Sequence, residues 1–186
     1  MSLANWPFGR TSEARKYLVS QRQRLYRVAF SWCHNDALAD DLVQEALLRA
    51  CKYCKGLRDQ KALDGWLFRI LSNCWHDELR RRRDMQDIST VTIYAQQDIE
   101  SEHYHAELIH KVHLAMAQLP AAQREVVSLV DIAELSYEQV ASALEVPVGT
   151  VMSRLNRARV SLRRQLEDCC QQTASNILPF GVRHEE

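Results

Sequence analysis

The chain has 186 residues, of which 24 are Lys or Arg and 24 are Asp or Glu, so its formal charge is zero. This length accommodates one ordinary domain or two small ones. A balanced total excludes a uniformly basic surface for nucleic acid, but the charge is segregated. Arg80 to Arg83 form a basic run and Arg154 to Arg164 a basic stripe, whereas residues 84–107 carry six acidic side chains and no Lys or Arg. Such segregation is expected where particular elements face phosphate.

No apolar run approaches the roughly 20 residues of a membrane span, and the opening MSLANWPFGR lacks the apolar core of a signal peptide. We therefore expect a cytoplasmic protein without a membrane span. The six cysteines should then be reduced rather than bridged. Residues 1–12 show no sustained periodicity and are predicted to form a mobile N-terminal tail.

Two helical segments follow. From Glu13 to Cys33, apolar residues recur at helical spacing and predict one amphipathic helix. Asn35 or Asp36 can cap the next helix, DALADDLVQEALLRACKYC, which has its own apolar stripe. Its other face is polar, and by composition alone an acidic helix face is most simply solvated; that face carries Asp40, Asp41, Gln44 and Glu45. Gly56 should end this helix, and Leu57 to Asp64 should form a short polar loop.

A third helix is predicted for LDGWLFRILSNCWHDELRRRR. Its inward residues include Trp75, and its outward polar residues are Asn73, Asp77, Arg80 and Arg81. Trp66 and Trp75 are most simply core residues, since both flank the apolar stripe. Residues 85–105 lack a periodic stripe, so we expect a linker with little fixed structure of its own. Helical spacing returns at Leu108, and Pro120 marks a boundary before the next predicted helix, AAQREVVSLVDIAEL.

The most informative stretch is SYEQVASALEVPVGTVMSRLNRAR, residues 136–159. Ser136 and Gln139 form a capping box that opens a short helix ending near Glu145, and Pro147 favours a second helix from about Val148. Two short helices joined by a tight turn make a helix-turn-helix. In the second helix, an apolar stripe faces the core (Val151, Leu155, Ala158 and Leu162), and the opposite side offers Thr150, Ser153, Arg154 and Arg157.

That opposite side has the chemistry of a major-groove reader, because Arg can bond two acceptors of guanine and Ser or Thr can hold phosphate or base edges. We expect Arg159, Arg163 and Arg164 to continue the positive charge without an acid near them. A helical hairpin with a solvated basic face is the simpler alternative. Beyond Asp168 the pattern is lost, and residues 169–186 are predicted to be a loose tail.

The wording LSYEQVA followed by PVGTVMSRLNRAR closely resembles the C-terminal DNA-binding region of extracytoplasmic-function (ECF, group IV) sigma factors of bacterial RNA polymerase. ADDLVQEALLRA resembles the segment of sigma region 2 that docks on the polymerase clamp helices, and the helix containing SNCWHDELRRRR resembles regions 2.3 and 2.4. LP followed by QREV resembles region 4. Glu145 is a departure, because the family more often has Gly there; a positive φ would place strain on Glu.

The resemblance implies an all-α protein of two small helical domains on a flexible linker. It divides the chain into a tail (1–12), sigma region 2 (13–84), a linker (85–105), the region 4 helix-turn-helix (106–168) and a C-terminal tail (169–186). It assigns polymerase contacts to Asp40, Asp41, Gln44 and Glu45. It assigns −10 element contacts to Leu57, Arg58, Asn73, Asp77, Arg80 and Arg81, and −35 element contacts to Thr150, Ser153, Arg154, Arg157 and Arg159.

By the same resemblance, the partners are core RNA polymerase, through its β′ clamp helices and β flap, promoter DNA, and an anti-sigma factor that holds the protein inactive until a stress or envelope signal. The sequence contains no nucleophile elbow, phosphate-binding glycine loop, zinc-protease motif or dinucleotide fingerprint. We therefore expect neither catalysis nor a cofactor.

Two other functions are open to the sequence. A helix-turn-helix regulator would bind a symmetric operator without polymerase. A metal- or thiol-responsive protein would use Cys51 and Cys54, but a structural zinc site needs about four ligands, and only Cys74 with His76 or Cys33 with His34 could add a pair. The histidines between 103 and 113 lack a nearby cysteine. The first half of the chain favours the sigma factor, because a regulator does not need ADDLVQE and SNCWHDELRRRR together.

Overall fold

A computed structural model describes residues 11–53, 60–86 and 103–175, and no β-strand occurs in these ranges. The elements are α1 (Thr11–Ser20), α2 (Arg22–Cys33), α3 (Asp36–Tyr53), α4 (Gln60–Gln86), α5 (His103–Ala117), α6 (Ala121–Val127), a π-helical turn (Ser128–Ile132), α7 (Tyr137–Leu144) and α8 (Val148–Ser175). The all-α prediction is confirmed. Helices α1 to α4 form an N-terminal unit and α5 to α8 a C-terminal unit. In the described ranges, none of the helices combines the length and apolar character needed to cross a bilayer.

The N-terminal unit is built on α2, whose apolar side packs against α3 and α4. The predicted single helix from 13 to 33 is wrong in one respect, because it is interrupted at Gln21. Just before this point the Ser20 hydroxyl donates to the Tyr17 carbonyl at 2.7 Å, a local bond that competes with regular helix. Helix α2 ends at His34, which adopts a left-handed backbone with φ of 49°. Asn35 then caps α3, since its Oδ1 accepts from the Leu38 N–H at 2.8 Å.

Helix α4 is longer than the sequence indicates. It begins at Gln60, so the predicted loop to Asp64 is wrong over its last five residues. Asp64 accepts a hydrogen bond from the Tyr17 hydroxyl at 2.5 Å and pairs with Arg24 at 3.0 Å, which ties the start of α4 to α1 and α2. Helix occupies both ends of the predicted 85–105 linker, because α4 runs to Gln86 and α5 begins at His103. Gly56 and residues 87–102 lie outside the described residues.

In the C-terminal unit the predicted capping box is confirmed. The Gln139 N–H donates to Ser136 Oγ at 3.3 Å, and the Ser136 N–H donates to Gln139 Oε1 at 2.8 Å. The predicted start of the last helix at Val148 is also confirmed. That helix continues past Asp168 to Ser175, so the first part of the predicted C-terminal tail is helical.

The predicted continuous helix from Ala121 to Leu135 is wrong, because α6 gives way to the π-helical turn at Ser128. The buried Ser128 hydroxyl donates to the Arg124 carbonyl one turn earlier, at 2.7 Å. Such a bond competes for a helix carbonyl and distorts the ladder, and π-helical turns mark the insertion of one extra residue. The chain then turns through Glu134, which has φ of 56°.

The two units share one hydrophobic core. Helix α4 packs along α7, and α2 packs on the π-helical turn and on α5 and α6. Buried apolar residues of both units belong to the same cluster, including Trp32, Phe68 and Leu71 from the first and Leu129, Val140 and Val151 from the second. Trp75 is buried and Trp66 packs against this cluster, which confirms their predicted core role.

Two histidines meet where the units join. The His34 and His113 rings have centroids 6.4 Å apart, and Phe30 contacts both. Burial lowers the pKa of His34 to about 4, with smaller contributions from Arg124 and His113. The pKa of His113 is also lowered by burial and then by His110. His34 Nε2 is a buried nitrogen without a hydrogen-bond partner in the structure, so the neutral ring is favoured.

We predict that the free energy of unfolding falls as the pH drops from about 6.5 towards 4. In this window the unfolded chain binds protons that the folded chain excludes from His34, so acid favours unfolding. Urea unfolding across this range measures the slope. His34→Asn should flatten it, since Asn tolerates the left-handed backbone and does not titrate.

The matched control is His76→Gln. A hydrogen bond to Glu125 raises the pKa of His76, so its stabilising contribution is complete below about pH 6.5 and is lost as the pH rises through the folded value. His76→Gln should change the slope of the unfolding free energy against pH above this pH range. An acid slope that is as steep in His34→Asn as in the unmodified protein would contradict the assignment, whereas His113 accounts for a residual slope.

Candidate polymerase and promoter interfaces

The acidic face of α3 is exposed, as predicted. Ala39, Leu42, Val43, Ala46 and Ala50 are buried, which leaves Asp41, Gln44 and Glu45 on the solvent side. Asp40 lies beside them and pairs with Arg22 at 2.8 Å. Sequence reasoning missed Leu48, which is 59% exposed and lies one turn beyond Gln44 on the same face. Its position seven residues after Asp41 is the signal that could have found it. A single exposed apolar residue is ordinary on a protein surface, and here it adds apolar area to the acidic face.

The polar face of α4 forms the wall of a cleft. Asn73 and Arg80 are exposed and line a cavity of about 480 Å³ together with Arg49, His76, Asp77, Leu79 and Arg83. Arg81 lies outside this cleft and pairs with Glu78 at 2.6 Å. The predicted contacts Leu57 and Arg58 lie outside the described residues. The cleft offers guanidinium groups and one amide, which suit phosphate oxygens and base edges.

A single arginine connects the α3 face to this cleft. Arg49 donates to Glu45 Oε1 at 2.7 Å and to Asp77 Oδ2 at 3.0 Å, and Asp77 also accepts from Arg80. Arg49 and then Arg80 lower the pKa of Asp77. Asp77 was predicted as a DNA contact, but its carboxylate already has two arginine partners. The position of Asp77 between the two arginines favours a role in orienting Arg80.

The outer face of α8 has the expected arrangement. Val151, Leu155 and Ala158 are buried, whereas Ser153 and Arg157 are exposed and Thr150 and Arg154 are half-buried. The Ser153 hydroxyl donates to the Thr150 carbonyl at 3.0 Å, and Arg157 Nε donates to the Ser153 carbonyl at 3.2 Å. These bonds hold the polar side chains along one line of the helix.

Sequence reasoning missed Asn156 and Met152 on this face. Both are exposed, and Asn156 lies three residues after Ser153, so the helical spacing alone could have indicated it. Its amide can make two hydrogen bonds to adenine in the major groove, which neither Ser nor Thr can do.

Arg159 is less free than its sequence neighbours suggest. It pairs with Asp131 through Nη2 and Oδ1 at 2.5 Å, and Asp131 raises its pKa. Arg163 likewise pairs with Glu167 at 3.2 Å. The expectation that no acid lies near these arginines is therefore wrong. Asp131 is 28 residues away in sequence and reaches α8 from the π-helical turn, so the local charge pattern could not reveal it.

The candidate metal ligands are only partly covered by the described residues. Across residues 11–53, 60–86 and 103–175, no group of three or more His, Cys, Asp or Glu residues could hold an ion. Cys51 is exposed, and Cys54 lies outside the described residues. Cys74 is buried against the core, and burial raises the pKa of its thiol to about 11.

Comparison with known proteins identifies the class. Residues 18–84 match the family model described as Sigma-70 region 2, and residues 109–162 match Sigma-70, region 4. Both matches coincide with the two helical units. A two-part helical protein with these regions in this order is a sigma-70-type transcription factor.

Individual relatives show to which group of sigma-70-type factors the chain belongs. The chain is 35% identical over 153 residues to the ECF RNA polymerase sigma factor EcfG of Rhodopseudomonas palustris, covering 82% of this chain and 84% of that protein. It is 28% identical to the ECF RNA polymerase sigma factor SigW of Bacillus subtilis, covering 79% and 85%. The chain belongs to the ECF RNA polymerase sigma factors.

Solved structures agree in fold. The sigma factor RpoE of Bartonella quintana, solved in complex with the anti-sigma factor NepR, superposes with a TM-score of 0.75 at 30% identity, covering 84% of this chain and 98% of that one. CnrH, solved with the cytosolic domain of CnrY, has a TM-score of 0.59 at 23% identity and covers 85% and 95%. The second likeness concerns the fold alone.

We predict that Arg49→Met raises the pKa of Asp77 towards its ordinary value of 3.8 more than Arg80→Met does, because Arg49 makes the largest contribution to its depression. Carboxyl NMR titration of Asp77 measures both shifts. The free energy of unfolding should change by only about 0 to 1 kcal/mol, since these pairs are exposed to solvent. A larger shift in Arg80→Met would mean that Arg49 is not the main partner of Asp77.

Proposed function

We propose that this chain binds core RNA polymerase, directs it to promoters with defined −10 and −35 elements, and assists DNA opening. The observation that carries the proposal is the Glu45–Arg49–Asp77–Arg80 chain, which couples an exposed acidic helix face to a basic cleft within one unit. A regulator that binds only an operator has no use for this coupling. The protein is then an initiation factor that acts in the cytoplasm, rather than a catalyst.

The proposed polymerase contact is the α3 face with Asp40, Asp41, Gln44, Glu45 and the exposed Leu48. Acids on such a surface set partner choice and association rate, while the central apolar side chain supplies buried area. The clamp helices of the β′ subunit are the proposed partner, with the β flap as a second contact for the C-terminal unit. In this scheme residues 13–84 act as region 2, residues 85–105 as linker and residues 106–168 as region 4.

The proposed −10 contact is the α4 cleft, with Asn73, Arg80 and Arg81 from the described residues and Leu57 and Arg58 beyond them. A protein that holds DNA open must capture extruded bases and steady the backbone. The exposed amide of Asn73 can form hydrogen bonds with a base edge, and the arginines can bind phosphate. Asp77 orients Arg80 for that task.

The proposed −35 contact is the outer face of α8, where Thr150, Ser153, Arg154, Asn156 and Arg157 would enter the major groove. Arg159 serves best as a phosphate contact near the rim, since Asp131 holds its guanidinium. This arrangement follows the usual docking of a helix-turn-helix, whose second helix reads base edges.

The compact arrangement is not the form that occupies a promoter. The centres of the two elements are about 25 base pairs apart, or about 85 Å at 3.4 Å per pair. A compact body of this size is only about 40 Å across. The two units must therefore separate for both elements to be bound, so the closed form is the state off DNA. An anti-sigma partner of the kind solved with the Bartonella relative would act on this free form.

Run-off transcription with sigma-free core polymerase on a pool of genomic promoter fragments tests the proposal. Start-site-specific transcripts should appear only when the protein is present, and their shared upstream sequences would give both promoter elements. Specific duplex binding by the protein alone, without transcripts or co-elution with core, would instead establish an operator-binding regulator.

We predict that Asp41→Arg impairs assembly with core polymerase, because it reverses a charge in the middle of the α3 face. Co-elution and competition against a second sigma factor measure the loss. The matched control is Arg27→Glu, an exposed charge reversal on α2 of the same unit and outside the α3 face. Normal assembly of Asp41→Arg would remove α3 from the interface.

We predict that Asn156→Ala and Arg157→Ala each weaken binding of the holoenzyme to the −35 element by about 1 to 3 kcal/mol, as expected for a side chain that reads a base. Promoter fragments with single substitutions in this element show which base each residue reads. Arg163→Ala is the control, because Arg163 lies further along α8 and pairs with Glu167. A uniform loss on all fragments would indicate a phosphate contact instead.

A further inference from the structure

The first helix of the helix-turn-helix is bounded by two strained turns. Glu134 precedes α7 with φ of 56°, and Glu145 follows it with φ of 55°. Both have left-handed backbones, which residues with a side chain rarely adopt. Glycine would occupy either position without this strain. Strained residues of this kind persist where the surrounding structure holds them, and they often mark a functional contact.

Each of these turns is contacted by an arginine from the N-terminal unit. Arg24 of α2 donates to the carbonyl of Ala133, immediately before Glu134, at 2.8 Å from Nε. Arg24 is itself fixed by Asp64 at 3.0 Å and lies 5.1 Å from the centroid of the Phe68 ring. At the other turn, Arg69 of α4 pairs with the carboxylate of Glu145. The two arginines therefore hold α7 at both of its ends.

Between these contacts, α7 lies close against α4. Gly65 is buried at the crossing, and a Cβ atom built on it would lie 3.5 Å from the Gln139 carbonyl oxygen and 3.6 Å from the Gln139 Cα. A methyl group would just be accommodated there, and a larger side chain would displace α7. The N-terminal unit thus meets the helix-turn-helix by close backbone packing flanked by two polar contacts.

We propose that the Arg69–Glu145 ion pair is a latch that holds the helix-turn-helix against α4, and that its release favours the separated form. The effect on promoter binding rests on the proposed function, whereas the latch itself does not. Glu145 strains the turn in both forms, but its carboxylate gains Arg69 only in the closed one. A contact present in one state alone shifts the equilibrium towards that state.

The exposure of the pair suits a reversible latch. The side chains of Arg69 and Glu145 are 45% and 65% exposed, so salt screens the pair and a competing charged partner can reach it. An exposed pair is weak, and its loss should change the opening equilibrium by about two- to fivefold. A buried pair would hold the units more tightly, but it would not respond to solution conditions in this way.

Hydrogen exchange of the full chain tests the latch, read on amides of α7 and of α4 near Gly65. Arg69→Gln and Glu145→Gln should each raise exchange there by about two- to fivefold, and the charge exchange Arg69→Glu with Glu145→Arg should restore the slow rate. In the unmodified protein the rate should rise with salt, and this dependence should be lost in the two single variants. Independent effects that the charge exchange does not reverse would overturn the latch.

Two glycine substitutions separate strain from the ion pair. Glu145→Gly relieves the strained turn and removes the carboxylate, so exchange at the α4–α7 contact should rise. Glu134→Gly relieves the same kind of strain and keeps Arg69 paired, so exchange at that contact should stay unchanged. Equal effects of the two substitutions would assign the opening to backbone strain and contradict the latch.

Run-off transcription with the same variants distinguishes this inference from the function on which it draws. If all variants support transcription, but the charge exchange does not reverse the hydrogen-exchange effects of the single variants, the latch is overturned and the sigma factor function is intact. In the opposite result, hydrogen exchange rises in the single variants and is restored by the charge exchange, while no transcripts appear even with the unmodified protein. That result would overturn the function and leave the latch as a property of the fold.

Discussion

A pair of buried hydroxyl groups lies in the shared core where the two units meet. Ser31 of α2 and Ser128 of the π-helical turn lie 2.7 Å apart in the shared core, and each also lies 2.7 Å from a carbonyl of its own helix, those of Val28 and Arg124. A hydroxyl has one proton to donate. Each serine can therefore satisfy its donor within its own unit once the units separate. The hydroxyl pair therefore leaves no donor unsatisfied in either form and adds no polar penalty to separation of the units.

A second constraint runs along the N-terminal unit. Arg49 holds Glu45 on the face proposed for polymerase and Asp77 on the face proposed for DNA. Whatever binds Glu45 competes for this arginine and so alters the restraint on Asp77 and Arg80. The two proposed interfaces are separate surfaces, but each contains a carboxylate that pairs with the guanidinium group of Arg49. A protein partner that binds Glu45 would in this way adjust the side chains proposed to contact the promoter.

Local chemistry made part of this structure predictable. The capping box at Ser136 and the stripe containing Val151 depend on residues three or four positions apart, and both were read correctly from the sequence. The π-helical turn was not, because a buried Ser128 looks like any helix residue until its hydroxyl is seen to bond Arg124. The Asp131–Arg159 pair and the packing of α4 on α7 join residues far apart in sequence, so no local pattern encodes them. Leu48 and Asn156 were predictable from spacing and were overlooked.

The π-helical turn also acts as a rotational spacer. An α-helix advances by 100° for each residue, so the single extra residue within Ser128–Ile132 rotates everything that follows relative to an uninterrupted helix. The rotation changes the direction in which the chain leaves Ile132 towards the turn at Glu134 and α7. The placement of α7 and α8 therefore depends partly on a residue remote from the proposed base contacts. A chain lacking that one residue would keep every side chain proposed to read bases and still present them in another direction.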